Sequence, residues 1–546
     1  MPFERVLVAN RGEIALRVFR TCRELGVETV AVFAPDDAGS LHARSADAAI
    51  EISSYLHADE HVRAAREARA DAIHPGYGFL AERADFAEAV TAAGLAWVGP
   101  PASALELGGD KLAAKRIARE ANVPVLPDGA PEEVGFPLVV KAAAGGGGRG
   151  MRVVRSRAEL PEALAAAERE AKGAFGDGTL YCERYLERPR HVEVQILADA
   201  HGAVVALGER DCSVQRRHQK VLEEAPAPRL PDRLRERLLE SAVAFARAIG
   251  YRNAGTVEFV VDGEEAYFLE LNGRIQVEHP VTEAVTGLDL VAEQLRIAAG
   301  EPLLPDRPPV VGHAVEARLY AEDPRTFLPQ TGTIERLVLP GDDLPRAESG
   351  VRVDAGVAEG DTIGLAYDPL LAKLIAHGRD RDEALALLAS ALAQTEVSGV
   401  TTNLPFLRWL VSHPVVRAGE ATTAFLVEHP PLSQVPLRLP ASPWREPWRL
   451  NLPPPAPSAP PDADAELHRH GPGHAESAVA APMPGTVIGV HVRPGDAVRA
   501  RAPLVVLEAM KMEIPVHSPF EGTVRAVHVA PGDRVAGGTV LVELEA

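Results

Sequence analysis

Residues 255–274 read GTVEFVVDGEEAYFLELNGR. Two apolar runs rich in β-branched and aromatic residues flank Asp262-Gly263, which is the pattern of two antiparallel strands joined by a turn. Glu258 lies on the first run and Glu270 on the second. Side chains alternate faces along a strand. A two-residue turn at Asp262-Gly263 would therefore put the two carboxylates on opposite faces, and facing one another requires an odd-length loop centred on Glu264 or a bulge. The facing arrangement is expected, with Asn272 on the same face. Glu270 sits among large apolar residues in YFLEL, where an unpaired charge is costly. Two carboxylates and an amide are hard oxygen donors of the kind that magnesium takes beside a phosphate.

Outward from this hairpin the chain alternates strands and helices. RVLVANRGEIALRVFRTCRELGVETVAVF (5–33) reads as strand, turn, amphipathic helix, strand, which predicts a right-handed parallel βαβ unit. Similar units continue to about residue 112 without a GxGxxG sequence, so no dinucleotide site is expected there. Residues 124–186 form a smaller section with a strand pair around a glycine run. Strands and helices alternate again over 187–330, and 331–446 is a mixed region. At 546 residues several domains are expected. The net charge of −20 disfavours nucleic acid and anionic lipid as partners. The three cysteines, Cys22, Cys182 and Cys212, are far apart and lack CxxC spacing, which points to a reducing compartment. No run of about 18 apolar residues predicts a membrane span. The chain also starts directly on an apolar strand, so a cytoplasmic location is expected.

Three further stretches carry charge and glycine in patterns suited to phosphate chemistry. PLVVKAAAGGGGRGMRVV (137–154) places Lys141 at the end of a strand, then Gly145–Gly148, Arg149 and Gly150. Consecutive glycines let backbone N–H groups close on phosphate oxygens, and the placement between two strands suggests a hinged flap. No GK[ST] follows, so this is not a Walker A loop. ERDCSVQRRHQKVLEEAP (209–226) gathers Arg210, Arg216, Arg217, His218 and Lys220. Acidic neighbours and the lack of interleaved aromatics favour a small-anion site over RNA. LNGRIQVEHPVTE (271–283) sets Glu278 near Arg274 and His279, a plausible general base for a small oxyanion.

The end of the chain differs in kind. PWRLNLPPPAPSAPPDADAELHRHGPGHAE (447–476) is dominated by Pro, Ala and polar residues and is expected to be an extended tether. After it, GTV recurs at Gly485 and Gly522, PGD at Pro494 and Pro531, and Leu-Val at Leu504 and Leu541, each pair offset by 37. Two similar strand sets should therefore form one small β-sandwich or flattened barrel with pseudo-twofold symmetry. Lys511 lies between Met510 and Met512 where the chain must reverse, although tight turns usually take Gly, Asn or Asp. A lysine at such a place on a tethered module suits covalent attachment of a carried group. This segment resembles the biotin carboxyl carrier and lipoyl domains, and AMKM (509–512) is of the biotinyl type.

HPGYGFLAE (74–82), KAAAGGGGRGMR (141–152), ERDCSVQRRHQK (209–220) and RIQVEHPVTE (274–283) together resemble the biotin carboxylase family of ATP-grasp enzymes. With the carrier, the whole chain resembles an acyl-CoA carboxylase α subunit. The resemblance implies an α/β N-terminal Rossmann-like (pre-ATP-grasp) domain over 1–112 and an ATP-grasp domain over 113–330, with a lid at about 124–186. A mixed α/β carboxylase C-terminal domain (331–446), a Pro-rich linker (447–477) and an all-β biotinyl, or hammerhead, domain (478–546) would follow. Lys111, Lys141, Gly147 and Gly148 would meet ATP phosphates. Glu183, Arg184, Tyr185, Leu186, His191, Gln215 and His218 would line the rest of the nucleotide. Glu258, Glu270 and Asn272 would hold Mg2+ or Mn2+. Lys220, Arg274, Gln276 and Val277 would bind bicarbonate, Glu278 would deprotonate it, and Arg346 would stabilise the biotin enolate. Biotin would sit on Lys511. The implied partners are a biotin protein ligase and a separate carboxyltransferase subunit of acetyl- or propionyl-CoA type, with a homo-oligomeric carboxylase module. The alternative is the carboxylase subunit of a two-subunit pyruvate carboxylase. A carrier protein with an inactive ligase domain is disfavoured by the presence of Lys220, Glu258, Glu270, Arg274 and Glu278. Gly273 departs from the Thr, Pro or Ala that many members of the family carry.

Overall fold

The computed structural model describes residues 3–143, 151–175, 178–216, 219–303, 307–340, 350–430, 478–481, 485–509, 512–535 and 539–545. Its first layer is a parallel sheet of β1 (Arg5–Val8), β2 (Glu28–Phe33), β3 (Ala48–Glu51), β4 (Ala72–His74) and β5 (Ala96–Trp97), in the order β3-β2-β1-β4-β5. The helix Gly12–Glu24 returns between β1 and β2. It buries Ile14, Ala15, Val18, Phe19 and Cys22, a spacing that places them on one helical face.

A small four-stranded sheet follows: β6 (Asp128–Gly129), β7 (Leu138–Ala142), β8 (Arg152–Val154) and β9 (Leu180–Arg184), in the order β6-β9-β7-β8. The strand pair expected around the glycine run is the antiparallel β7–β8 pair. β9 and β6 widen it, and the helix Leu160–Phe175 covers it, giving a separate core of Leu138, Val140, Val154, Ala167 and Cys182.

The next strands are β10 (Arg190–Ala198), β11 (Val204–Arg216), β12 (Gln219–Ala225), β13 (Asn253–Asp262), β14 (Glu265–Asn272) and β15 (His313–Tyr320). After these come β16 (Gly332–Thr333), β17 (Arg336–Val338), β18 (Gly350–Ala355), β19 (Thr362–Ile363), β20 (Leu370–Gly378) and β21 (Glu396–Ser398). Eight of them make one sheet in the order β14-β13-β10-β11-β12-β15-β20-β18, and β16–β19 and β17–β21 are short separate pairs. The sheet runs unbroken past residue 330, where the sequence reading places a domain boundary. Glu223 of β12 stands opposite Glu316 of β15 in the connecting ladder. On the 187–272 side the helix Asp232–Ala248 packs Leu234, Leu238, Ala242 and Phe245 onto the sheet. Leu385, Leu388 and Leu392 of the helix Arg381–Gln394, with Phe406 and Leu410, build the core on the other side.

The C-terminal module contains β22 (Ala478–Ala480), β23 (Gly485–Val490), β24 (Ala497–Val498), β25 (Pro503–Ala509), β26 (Met512–His517), β27 (Gly522–Val527), β28 (Arg534–Val535) and β29 (Val540–Glu545). They form two four-stranded sheets, β22-β29-β27-β24 and β26-β25-β23-β28. The 37-residue offset maps β23 onto β27, β24 onto β28 and β25 onto β29, so each repeat contributes strands to both sheets. Val487, Leu504, Leu507, Val524, Leu541 and Leu544 fill the space between them. The cysteines Cys22, Cys182 and Cys212 are buried and free. Among the described residues no helix is long and apolar enough to cross a membrane.

Candidate active site

Glu258 and Glu270 stand directly opposite one another on β13 and β14. The hairpin reaches this arrangement by the bulge and not by an odd-length loop. Asp262 pairs with Glu265 around a two-residue Gly263-Glu264 turn, and the register shifts by one between Phe259–Phe268 and Glu258–Glu270. Leu269 is the extra residue. Gly263 has φ +61°, a conformation that a glycine adopts without strain. On the other side of β13, Glu193 of β10 faces Glu258, so three carboxylates line up across three neighbouring strands. Like charges opposite one another repel, and the rest of the site offsets this.

Lys220 is the principal counter-charge. Its Nζ lies 2.9 Å from Glu258 Oε1 and 2.5 Å from Glu278 Oε1, and it also donates to Glu193. It sits on β12 opposite Gln215 of β11, which points both side chains into the cluster. Burial would lower the lysine's pKa, but the three surrounding carboxylates outweigh this and hold it well above its usual value. Glu258 Oε1 also accepts from Asn272 Nδ2 at 2.8 Å and Gln276 Nε2 at 2.9 Å, while Oε2 lies 2.8 Å from His191 Nε2. Burial raises a carboxyl pKa, yet Lys220 and His191 drive that of Glu258 well below the ordinary range. Glu270 goes the other way: burial and the Glu258 charge raise its pKa. Gln215 donates to His191 Nδ1, and the Glu258 charge overcomes burial to raise the pKa of His191.

Glu278 occupies the N-cap position of the helix His279–Thr286, without a side-chain capping bond, where the helix dipole favours an anion. Arg318 of β15 donates to its Oε2 at 2.9 Å. Against burial, Lys220, Arg318 and Arg210 depress the pKa of Glu278 strongly, so it is ionised. Arg210 is wholly buried. It donates to Glu193 at 2.5 Å, Thr282 at 2.8 Å and Gln276 at 3.2 Å. Arg274 donates to Asn272 Oδ1 at 3.0 Å and lies 3.2 Å from Glu82. The Val277 carbonyl accepts from Lys373 at 2.8 Å, and that lysine lies 3.2 Å from Glu13, to which Tyr77 donates. The Gly273 N–H donates to Glu82 at 3.2 Å, and a Cβ at Gly273 would sit 2.7 Å from Leu105 Cδ2. In this chain Leu105 occupies the space that a larger residue at 273 would need.

The small sheet carries a second cationic group. Asp110 caps the helix Lys111–Glu120 by accepting from the Leu112 and Ala113 N–H groups at 3.0 Å. Lys111 then starts the helix and Lys115 lies one turn on along the same face. Lys115 and Lys141 both donate to Glu183 of β9, whose carboxylate is 1% exposed and fully engaged by lysine. Burial would raise the Glu183 pKa, but Lys141 and Lys115 lower it. Desolvation lowers the pKa of Lys111, with Glu270 opposing. Arg184 is exposed and Tyr185 and Leu186 are half-buried beyond it.

The described structure thus gathers Lys220, Glu258, Glu270, Asn272, Arg274, Gln276, Glu278, His191 and Gln215 in one cluster, while the Val277 carbonyl between them turns to Lys373. Lys111 adjoins it through Glu270. Gly147, Gly148, His218, Arg346 and Lys511 lie outside the described residues. Sequence reading did not single out Glu193, Lys115, Arg318 or Lys373. Glu193 had a signal: in RHVEVQIL, His191, Glu193 and Gln195 alternate with apolar residues and so share one face of a strand.

Comparison with known proteins gives the family of each part of the chain. Residues 2–105 match the family described as biotin carboxylase, N-terminal domain, and residues 110–305 the carbamoyl-phosphate synthase L chain, ATP binding domain. Residues 316–428 match the biotin carboxylase C-terminal domain, and residues 477–544 the family described as biotin-requiring enzyme. A biotin carboxylase from Halalkalibacterium halodurans is 49% identical, over 78% of this chain and 98% of its own. The α subunit of Arabidopsis thaliana mitochondrial methylcrotonoyl-CoA carboxylase is 48% identical, over 78% of this chain and 60% of its own. The α chain of Ruegeria pomeroyi propionyl-CoA carboxylase is 45% identical, over 79% and 68%. The crystal structure of the biotin carboxylase domain of Hydrogenobacter thermophilus 2-oxoglutarate carboxylase, in complex with MgADP, ADP and bicarbonate, superposes with a TM-score of 0.75 at 44% identity. It covers 78% of this chain and 98% of that one.

Proposed function

The chain belongs to the biotin carboxylase family of ATP-grasp ligases, and from that premise we propose that it carboxylates biotin held on its own C-terminal module. In this reading it is the α subunit of an acetyl- or propionyl-CoA type carboxylase whose carboxyltransferase is a separate subunit. ATP, covalent biotin and a divalent cation are its cofactors.

Glu258, Glu270 and Asn272 fit magnesium or manganese because they set hard oxygen donors side by side on one face, and the pKa of Glu270 is raised by burial and by the neighbouring Glu258 charge. When bound, the cation neutralises phosphate charge. Lys111 and Lys141, with Gly147 and Gly148, take the phosphates. Glu183, Arg184, Tyr185, Leu186, His191, Gln215 and His218 take the rest of the nucleotide. Lys220, Arg274, Gln276 and Val277 hold bicarbonate. Its oxygen attacks the γ-phosphorus, ADP leaves, and Glu278 accepts the bicarbonate proton. Lys220 and Arg318 hold Glu278 ionised, so proton uptake needs both cations to turn toward the substrate oxygens, whose negative charge draws them. The mixed anhydride then breaks into phosphate and CO2, which a water-excluding pocket retains. Lys511 would hold biotin, whose ureido nitrogen would accept CO2 while its proton passes to the phosphate just released, and Arg346 would supply the counter-charge.

The observation that carries this reading is Lys220 joined to both Glu258 and Glu278. The test is ATP hydrolysis by the purified chain with and without bicarbonate and free biotin. Turnover that requires both supports the reading, and turnover indifferent to biotin overturns it. A streptavidin pull-down with bound partner, assayed on acetyl-, propionyl- and methylcrotonoyl-CoA and on pyruvate, identifies the acceptor. The mass of peptides containing Lys511 separates biotin from lipoate.

A further inference from the structure

Two loops of the catalytic body belong to the same apolar cluster as the core of the C-terminal module. Leu328 and Leu365 pack against that core, as do the module's own Val490 and Phe520. We propose that Leu328 and Leu365 are a built docking seat for this chain's own carrier, set at the rim of the pocket that contains Lys220 and Glu278. The inference rests on the function proposed above and adds to it the surface by which the carrier presents its lysine.

The first loop is a closed turn. The Asp323 N–H donates to the Leu328 carbonyl at 2.9 Å and the Phe327 N–H to the Asp323 carbonyl at 2.8 Å. The Asp323 side chain accepts from the Arg325 N–H at 2.8 Å and the Thr326 N–H at 3.0 Å. Arg216 ties this loop to the pocket. It donates to Glu322 and, at 3.3 Å, to the Phe327 carbonyl, and its guanidinium lies 5.3 Å from the Phe327 ring centre. Arg216 pairs with Gln219 at the end of β11, and the next rung of that ladder is Gln215–Lys220. The arginine that ties the Leu328 loop is therefore one rung from the lysine that organises the site.

The second loop is fastened from the opposite side. Leu365 lies between Ile363, paired with Gly332, and Tyr367. The Tyr367 hydroxyl donates to Asp36 at 2.6 Å, and its ring lies 4.2 Å from the Arg11 guanidinium. The two leucines are thus held by the large sheet and the N-terminal sheet respectively, and neither loop has to order when the carrier arrives.

Packing and connectivity favour the carrier as the occupant. Residues 431–477 join the catalytic body to the module and are rich in proline, which gives ample reach. A tether converts docking into an intramolecular event at about millimolar effective concentration. Two half-buried leucines then suffice, and weak docking lets the carrier leave again for a second site.

The test uses the full-length, biotinylated protein and the double variant L328S/L365S. One assay follows ATP hydrolysis with free biotin. The other follows labelled bicarbonate onto the protein's own biotin in a single turnover. The expected result is a roughly tenfold slower tethered reaction, about the affinity lost with two partly buried leucines, with the free-biotin rate unchanged. L328M/L365M keeps both rates. The proposal is overturned if the tethered rate of L328S/L365S is unchanged, or if both rates fall together. A wild-type chain with no turnover on free biotin overturns the underlying function and removes the basis of the seat with it.

Discussion

Glu270 faces Glu258 across β13 and β14, and its carboxyl pKa is raised by burial and by its neighbour's charge. A metal ion must displace the proton that this pair favours. The expected outcome is that the KM for Mg2+, at saturating ATP, rises as pH falls through the raised range of Glu270. Glu258→Gln weakens cation affinity by about 10–100-fold, and titration of Mn2+ binding at several pH values checks both.

Lys220 is the counter-charge of three buried carboxylates. Lys220→Met leaves Glu193 and Glu258 opposed with only Arg210 and His191 to offset them. It is expected to cost about 3–5 kcal/mol of stability as well as activity. Glu193→Gln in the same background removes one of the like charges and recovers part of the stability but none of the turnover. Urea unfolding and ATP hydrolysis on the two variants separate these effects.

Glu223 stands opposite Glu316 between β12 and β15, both wholly buried. Burial raises the pKa of Glu223 to about 7, with Arg318 opposing. The folded state holds this proton more tightly than the unfolded chain. The stabilisation is therefore full below the unfolded value, about 4.5, and is lost as pH rises toward 7. Glu223→Gln is expected to flatten the fall in unfolding midpoint between pH 5 and pH 7, by up to a few kcal/mol when converted to free energy. Denaturation curves at pH 5, 6, 7 and 8 read it.

Gly273 and Leu105 compete for one space. Gly273→Ala alone is expected to cost about 1–3 kcal/mol by overpacking. Leu105→Ala alone leaves a cavity. The double variant should lose at least about 1 kcal/mol less than the sum, a coupling that a double-mutant cycle measures directly.

Much of this arrangement was legible because it is local. Helical and strand periods, the 37-residue offset and the charged stretches each occupy a few tens of residues. The two-residue geometry at Gly263-Glu264 with a bulge at Leu269 was one of two permitted ways to bring Glu258 and Glu270 together, and alternation alone does not choose between them. Glu193 and Arg318 escaped notice for a different reason. Their partners Lys220 and Glu278 are 27 and 40 residues away, so the alternation that sets Glu193 on one face with His191 and Gln195 does not say which charge it meets. The join of β12 to β15 is likewise a long-range pairing that no spacing announces. Lys115 had the clearest missed signal, four residues after Lys111 on a capped helix.

The β12–β15 ladder has a consequence for anyone dividing this enzyme. A fragment ending before residue 313 would keep Glu278 and lose the Arg318 that steadies it, and it would present β12 as a bare, adhesive border. Separately expressed halves should precipitate or find each other again. Any cut between β10 and β20 parts strands of the eight-stranded sheet, so that stretch of the polypeptide has to be kept whole.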